Sequence, residues 1–303
     1  MSRSFTYLLL TLVMVIWGLN VVAVKYLVEY ISPIAMQGGR IFVAGIAAMT
    51  TLYLLKELRK LTLKEVAVIT LIAVFGQLSH HALLAVGLVE TTASNASLIL
   101  GLIPITTALL AVIFLKDRLT ILRLLGIGIG FTGVALVVMQ NGEGMGISRG
   151  DLFVFISMIC QAISFILIKI VSATVSSKQL TAVMLLNGSM MLFATSFIIE
   201  PQGFSTYSNQ TPIVWIVFFS SAIFATGLGH ILYNAAIQKI GAGQTAIFNN
   251  LVPFFALIGS YLFLGERIYG YQIAGFLLIV CGVLLGTGFV DHKLNKQRLN
   301  RAA

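Results

Sequence analysis

Long apolar runs, separated by short polar connections, cover almost the whole of this 303-residue chain. An α-helix rises about 1.5 Å per residue, so about 20 apolar residues cross a hydrocarbon core of ~30 Å. A membrane β-barrel would instead show alternating segments of ~10 residues. The pattern therefore predicts an all-α membrane protein with ten transmembrane helices, at residues 5–28, 34–55, 66–88, 93–115, 121–139, 152–171, 180–199, 213–237, 242–264 and 270–290.

Composition excludes the soluble classes of protein. Hydrophobic residues make up 58% of the chain and charged residues only 10%, against about 25% charged residues in an ordinary soluble domain. Such a chain cannot build the charged surface of a soluble enzyme or of a nucleic-acid-binding module. The two cysteines, Cys160 and Cys281, lie inside apolar runs and show neither metal-ligand spacing nor a disulfide pattern.

The net charge of +9 indicates membrane orientation. If the N-terminus is inside, 15 of the 19 basic residues fall in inside segments, and only Lys25, Arg149 and Arg267 fall outside. Basic residues accumulate in cytoplasmic connections. We therefore expect a multi-pass protein of the cell (inner or plasma) membrane with both termini in the cytoplasm, and no nucleic-acid partner.

The chain repeats itself. Residues 230–289 align with residues 81–140 at a constant offset of 149, and residues 161–169 align with residues 17–25 at an offset of 144. The matched pairs include His81 with His230, Pro104 with Pro253, and Gly126 with Gly275. Five helices per repeat is an odd number, so the second repeat enters the membrane from the opposite side. This predicts inverted halves at 1–141 and 150–290, a cytoplasmic tail at 291–303, and a substrate site at the membrane midplane between the halves.

Several segments together resemble the EamA family of the drug/metabolite transporter superfamily over residues 5–290. They are WGLNVVAVK (17–25), Pro33 and Arg40 in the second helix, the proline-containing fourth helix that ends in LKDRL (115–119), and a glycine-rich fifth helix. The resemblance implies a ten-helix carrier with both termini cytoplasmic. It also implies that the substrates are amino acids or other small metabolites, often moved outward.

One departure separates the chain from the small multidrug-resistance proteins, which are distant relatives. Those proteins use a glutamate in the first helix to bind cations and protons, whereas neither Thr11–Asn20 nor Ser157–Ser164 contains an acid. Efflux of drugs or quaternary cations is therefore the alternative function, and metabolite transport is the favoured one.

Arg40 lies deeper inside a predicted helix than any other basic residue, about 9 Å from the outer end of that helix. A charge at membrane depth costs roughly 2.5–3.5 kcal/mol. We expect its partner to be a backbone carbonyl, or Glu29 or Glu90 at the outer surface. A guanidinium binds carboxylates and phosphates with two parallel hydrogen bonds, so Arg40 is a candidate anchor for a substrate anion. A role in helix packing or topology is the alternative.

His80, His81 and His230 also lie at membrane depth. Histidine is the side chain whose charge changes near neutral pH, and no acid lies in the helices at this depth, so the three are candidate proton carriers. The alternative is neutral histidines that bond neighbouring helices. No Cys, Asp or Glu accompanies them at ligand spacing, and we expect no metal site.

Other polar side chains share helix faces with these residues. Trp17 and Asn20 are three apart, Gln77 is four before His81, and Tyr233 and Asn234 follow His230 at helical spacing. The predicted substrate-binding residues are Trp17, Asn20, Arg40, Gln77, His81, Gln161, Ser164, His230, Tyr233, Asn234 and Asn249. Pro104 and Pro253 are predicted to kink their helices.

The chain lacks the motifs of an ATPase, a metalloprotease or a serine hydrolase, so neither an enzyme nor a cofactor is expected. The favoured function is a secondary transporter of small polar metabolites, with export of amino acids preferred. Outside the transport class, a non-transporting membrane enzyme or accessory component is the alternative. The small-xxx-small pair Gly126 and Gly130 favours packing within a monomer over a homodimer.

Overall fold

The computed structural model describes residues 3–115, 120–139, 148–240, 245 and 248–286, and these residues contain helices and no strand. The predicted tail at 291–303 and residues 116–119 of the LKDRL segment lie outside the described residues. The α-helices are α1 Arg3–Leu27, α2 Pro33–Leu54, α3 Leu63–Ala73, α4 His80–Glu90, α5 Ala93–Leu100, α6 Ile103–Leu115, α7 Ile121–Met139, α8 Arg149–Val171, α9 Ser177–Ile199, α10 Pro212–Ser220, α11 Gly229–Ile240, α12 Leu251–Gly259 and α13 Gly270–Gly286.

Seven helical segments of the described residues are long and apolar enough to cross a membrane. They are Phe5–Leu27, Leu63–Glu90, Ala93–Phe114, Ile121–Met139, Arg149–Val171, Ser177–Ile199 and Pro212–Ile240, and two shorter apolar helices cover Leu251–Leu264 and Gly270–Gly286. The chain is therefore an all-helical, multi-pass membrane protein. The count of ten spans and the inverted relation of the halves stay predictions.

Side-chain caps fix where several helices begin. Thr62 accepts from the backbone N–H of Glu65 at 3.3 Å, and the Glu65 carboxylate accepts from the N–H of Thr62 at 2.9 Å, which completes a capping box before α3. Ser148 caps α8 by accepting from the N–H of Asp151 at 2.9 Å, and Ser176 caps α9 in the same way. Polar side chains in the connections therefore set the helix bounds.

Three segments are π-helical, with one more residue per turn than the α-helix. Val74–Ser79 joins α3 to α4, Ser221–Leu228 joins α10 to α11, and Ser260–Leu264 follows α12. At the repeat offset of 149, the first of these aligns with residues 223–228 of the second. Both widened segments therefore lie immediately before the membrane histidines.

Pro104 and Pro253, which are equivalent in the repeat, lie at the beginnings of helices and not inside a single kinked helix. The predicted helix at 93–115 is divided at residues 101–102, and Pro104 lies in the first turn of α6. Pro253 lies in the first turn of α12, after a turn at Asn249–Asn250. The carbonyl of Asn249, which the proline leaves without its helical donor, accepts from the N–H of Val252 at 3.0 Å.

Glycines allow α7 and α13 to pack backbone against backbone. A Cβ atom on Gly126 would lie 2.7 Å from the carbonyl oxygen of Gly282, and one on Gly133 would lie 2.8 Å from that of Gly275. Helix α7 and its repeat equivalent α13 thus pack against each other within one chain.

Two carboxylates cap helices far away in sequence, at the ends that the charge pattern predicts to face outside. Glu200 accepts from the N–H groups of Ile34 and Ala35 at 3.1 and 2.9 Å, at the beginning of α2. Glu266 accepts from the N–H groups of Ala93 and Ser94 at 2.7 and 3.0 Å, at the beginning of α5. A negative charge is favourable at a helix N-terminus, so each glutamate ties one half of the chain to the other.

Tyr207 makes a further connection beside the Glu200 cap. Burial raises the pKa of the Tyr207 hydroxyl above its usual value. The hydroxyl therefore stays protonated, and it donates to the carbonyl of Ala35 at 2.9 Å.

Candidate functional site

A cavity of about 90 Å³ lies between the two halves of the chain. Seven predicted residues line it: Trp17, Asn20, His80, His81, Gln161, His230 and Asn249. Apolar side chains complete most of the wall: Val21, Leu84, Leu100, Ile103, Phe165, Ala225 and Val252. The remaining lining residue is Thr226, which was not among the predicted residues. Its repeat equivalence to Gln77 was the signal that could have identified it.

Five other predicted residues do not line this cavity, namely Arg40, Gln77, Ser164, Tyr233 and Asn234. Tyr233 lies against the cavity wall, since its hydroxyl accepts from Nδ2 of Asn249 at 2.9 Å. Asn234 turns away and donates to Thr181 of α9 at 2.8 Å. Gln77 packs against Gly188 of α9.

Arg40 is completely buried in the layer of side chains behind the cavity wall. Gln37, one turn earlier on α2, accepts from Nε at 3.1 Å and from Nη2 at 2.6 Å. Nη1 donates to Ser221 Oγ at 2.9 Å and to Thr226 Oγ1 at 2.7 Å, both in the π-helical segment of the second half. Arg40 therefore links α2 to the opposite half of the chain.

The remaining contacts of Arg40 lead to the cavity wall. Its Nη1 lies 3.4 Å from Oδ1 of Asn20, and its Nη2 lies 3.5 Å from Nδ1 of His81. Asn20 also accepts from the hydroxyl of Ser221. No Asp or Glu in the described part of the chain pairs with Arg40, so neutral side chains surround its charge, in place of the backbone carbonyl or outer glutamate expected from the sequence.

The three histidines lie close together, with ring centroids 4.7 Å apart for His80 and His81 and 6.2 Å apart for His81 and His230. Nδ1 of His80 lies 3.2 Å from the carbonyl oxygen of Ser157, and Nδ1 of His230 lies 2.9 Å from that of Thr226. A carbonyl oxygen only accepts, so both rings carry a proton on Nδ1.

His81 takes the opposite tautomer. Its Nδ1 faces the guanidinium of Arg40, which only donates hydrogen bonds, so this nitrogen must present its lone pair. The proton of the neutral ring is then on Nε2. Nε2 of His81 is buried and has no hydrogen-bond partner among the described residues.

Aromatic rings pack along one side of the cavity. The indole N–H of Trp17 donates to the carbonyl of Ala225 at 2.9 Å, in the π-helical segment of the second half. The Trp17 ring lies 4.8 Å from the Tyr233 ring and 5.3 Å from the His230 ring, between centroids. Phe165 continues the row, 5.3 Å from Tyr233.

Three buried polar atoms of the cavity wall have no partner within the part of the chain that the structure describes: Nε2 of His81, Oε1 of Gln161 and Oδ1 of Asn249. An unpaired buried polar group costs roughly 1–3 kcal/mol. Their residues line the cavity, so a polar ligand that reached these atoms would find one donor and two acceptors. No group of three or more potential metal ligands occurs among the described residues.

Comparison with known proteins identifies the family. A model of the EamA-like transporter family matches residues 4–139 and again residues 148–287. The chain is 33% identical over 273 residues to the uncharacterized transporter YyaM of Bacillus subtilis (strain 168), with 88% of each chain covered. It is 27% identical over 287 residues to the uncharacterized transporter YvbV of the same organism, with 94% of this chain and 92% of YvbV covered.

A more distant relative is named for its substrate, and a solved structure has the same fold. The S-adenosylmethionine/S-adenosylhomocysteine transporter of Chlamydia muridarum (strain MoPn / Nigg) is 22% identical over 293 residues, covering 93% of this chain and 90% of that protein. A crystal structure that is 16% identical superposes with a TM-score of 0.71 and covers 97% of this chain and 99% of its own. With the family matched across both halves and a relative at 33% identity, this chain belongs to the EamA-like transporter family.

Proposed function

We propose that this membrane transporter is a secondary carrier of small polar metabolites, with amino acids or related compounds as the favoured class and export as the favoured direction. Two inverted five-helix halves would alternate access to the cavity from the two sides of the membrane. The substrate would bind to the polar residues of the wall.

One observation carries this proposal: repeat-equivalent residues line the cavity in pairs. At the two repeat offsets, five first-half residues of the wall correspond to five second-half residues of the wall. The pairs are Trp17 with Gln161, Val21 with Phe165, His81 with His230, Leu100 with Asn249, and Ile103 with Val252. A site built in this way lies near the axis relating the halves, where secondary carriers with inverted repeats bind substrate.

The size of the cavity supports a site that changes shape. Small-molecule sites typically measure about 300–1,000 Å³, whereas this cavity measures about 90 Å³. A substrate larger than a few atoms would enter only if the halves moved apart. The unpaired polar atoms of the wall would then find partners on the substrate, which compensates for the cost of burying them.

The cavity favours metabolite transport over the efflux of quaternary cations. No carboxylate of the described residues lines its wall, and the nearest buried charge, that of Arg40, is positive. A cation would enter such a site without a counter-charge, at a cost of several kcal/mol.

Efflux from reconstituted vesicles tests the proposal. Purified protein in vesicles loaded with labelled amino acids is expected to release label faster than protein-free vesicles. Gln161→Leu removes an unpaired acceptor from the wall, so we expect flux to fall about fivefold, the equivalent of one hydrogen bond of ~1 kcal/mol. Asn187→Leu is the matched control, because Asn187 bonds to Thr70 at 3.2 Å and does not line the cavity.

Two outcomes would count against this function. If no amino acid or related metabolite leaves the vesicles above background, the proposed substrate class is wrong. If Gln161→Leu and Asn187→Leu reduce flux equally, the cavity is not the transport site.

A further inference from the structure

We propose that the cavity binds the carboxylate of its substrate at Nε2–H of His81, with Arg40 as the opposite charge one layer behind, and that it thereby selects substrates bearing a carboxylate. This inference rests on the proposed function and names the chemistry of the same site. It follows from the charge of Arg40, the tautomer of His81 and the groups left unpaired in the wall.

The first step is the uncompensated charge. Arg40 is 0% exposed, and all of its described partners are neutral. Electrostatic interactions are strengthened where water is excluded. An anion one side chain away from the guanidinium would therefore be strongly attracted, and a cation strongly repelled.

The second step is the direction of the hydrogen bonds. Arg40 can only donate, so its contact with Nδ1 of His81 places the ring proton on Nε2. Nε2 lacks a partner among the described residues, and His81 lines the cavity. His81 thus presents a fixed donor whose missing partner is an acceptor, and Arg40 acts through it as a positioning residue.

The third step concerns the rest of the wall. Oε1 of Gln161 and Oδ1 of Asn249 are unpaired acceptors, which suit an N–H or ammonium donor on the same substrate. These two oxygens are uncharged, so they orient a donor without attracting a free cation as a carboxylate would. The site consequently favours a carboxylate that carries an N–H group elsewhere over an amine that lacks the carboxylate.

The experiment uses the smallest probes of each charge, because acetate and methylammonium each fit a cavity of about 90 Å³. The full chain, labelled with ¹⁵N-histidine in nanodiscs, is titrated with acetate, methylammonium and methyl phosphate. We expect acetate alone to shift the Nε2 resonance of one ring saturably, and we expect that resonance to disappear in His81→Asn.

Substitutions at Arg40 and at Gln37 test the role of the Arg40 charge. Arg40→Met is expected to weaken acetate binding at least about tenfold, whereas Arg40→Lys, which keeps the charge, is expected to bind more tightly than Arg40→Met. Gln37→Glu gives the guanidinium a carboxylate partner with little change in shape, and we expect it to weaken acetate binding as strongly as Arg40→Met. Gln37→Glu keeps Arg40 in place, so it tests the contribution of the Arg40 charge to acetate binding even if Arg40→Met does not fold.

Several results would overturn the inference. These are a methylammonium shift equal to that of acetate, no saturable acetate shift in the folded protein, tighter binding of methyl phosphate than of acetate, and unchanged acetate binding in Gln37→Glu. Vesicle efflux is a separate measurement, and it tests the carrier proposal. Acetate binding without efflux contradicts the carrier proposal alone, and efflux without acetate binding contradicts this inference alone.

Discussion

Gln37 holds the guanidinium of Arg40 with an oxygen that carries no charge. Oε1 of Gln37 accepts two hydrogen bonds from Arg40, while its Nε2 has no partner in the described part of the chain. Gln37→Glu would therefore lose no hydrogen bond and would add an ion pair, whose attraction is strengthened where water is excluded. We expect the thermal unfolding temperature to rise, by an amount corresponding to about 1–2 kcal/mol.

The matched variant is Gln37→Leu, which leaves Nε of Arg40 without its acceptor. We expect it to destabilise the protein by roughly 1.5–3 kcal/mol, since the lost bonds involve a charged group. Thermal melts of both variants in the same detergent provide the measurement. A melting temperature for Gln37→Glu at or below that of the unchanged chain would show that Arg40 is already electrostatically satisfied.

Individual residues show what helical spacing can and cannot predict. The spacing of Trp17 with Asn20 identified two residues of the cavity wall. The same reasoning predicted Gln77 and Asn234, but these side chains face α9, against Gly188 and Thr181 respectively. Periodicity assigns a residue to a face of its own helix, whereas the neighbour of that face depends on how the helices pack.

Helical spacing could not predict the partners of Arg40 on other helices, for a related reason. The sequence suggested a backbone carbonyl or an outer glutamate as its partner, and the chain supplies the amide oxygen of Gln37 and two hydroxyl groups instead. Those hydroxyls, on Ser221 and Thr226, lie more than 180 residues away and in a π-helical segment. An apolar pattern gives no indication of such a segment, because one extra residue in a turn leaves the overall hydropathy unchanged.

At the scale of elements, the contact between α7 and α13 depends on glycines at particular positions. A Cβ on Gly126 would clash with the backbone of Gly282 and Gly286, whereas a Cβ on Gly128 would meet nothing within 4 Å. We expect Gly126→Ala to destabilise the protein by about 1–3 kcal/mol, as overpacking does. Gly128→Ala, on the same helix, is expected to be neutral or to stabilise it by up to about 1 kcal/mol.

Fluorescence-detected gel filtration after heating compares these two variants directly. Equal melting temperatures for Gly126→Ala and Gly128→Ala would show that the close approach of α7 and α13 does not limit stability. The glycine pairs were visible in the sequence, and the structure shows that the glycines of α7 pack against those of α13.

The long-range caps by Glu200 and Glu266 could not be anticipated, because they join helix ends more than 160 residues apart.

For the whole molecule, the apolar runs predicted the all-helical fold, and the internal repeat predicted a site between the two halves. Residues paired by the repeat offsets line the same cavity although the alignment contains no information about contacts. The predicted axis between the halves would explain this, because equivalent residues close to an axis lie close to each other. The odd number of helices predicted for each repeat implies that the halves are inverted, and this prediction can be tested without knowing the substrate.

Glu29 and Ala173 are repeat equivalents at the offset of 144, and both lie in exposed connections between helices. If five helices separate equivalent points, the two connections lie on opposite sides of the membrane, with Glu29 outside and Ala173 inside. In a chain with Cys160→Ser and Cys281→Ser, an impermeant maleimide applied to intact cells should label Glu29→Cys and should label Ala173→Cys only after permeabilisation. Labelling of both from the same side would rule out inverted halves, since a parallel duplication places equivalent connections on one face.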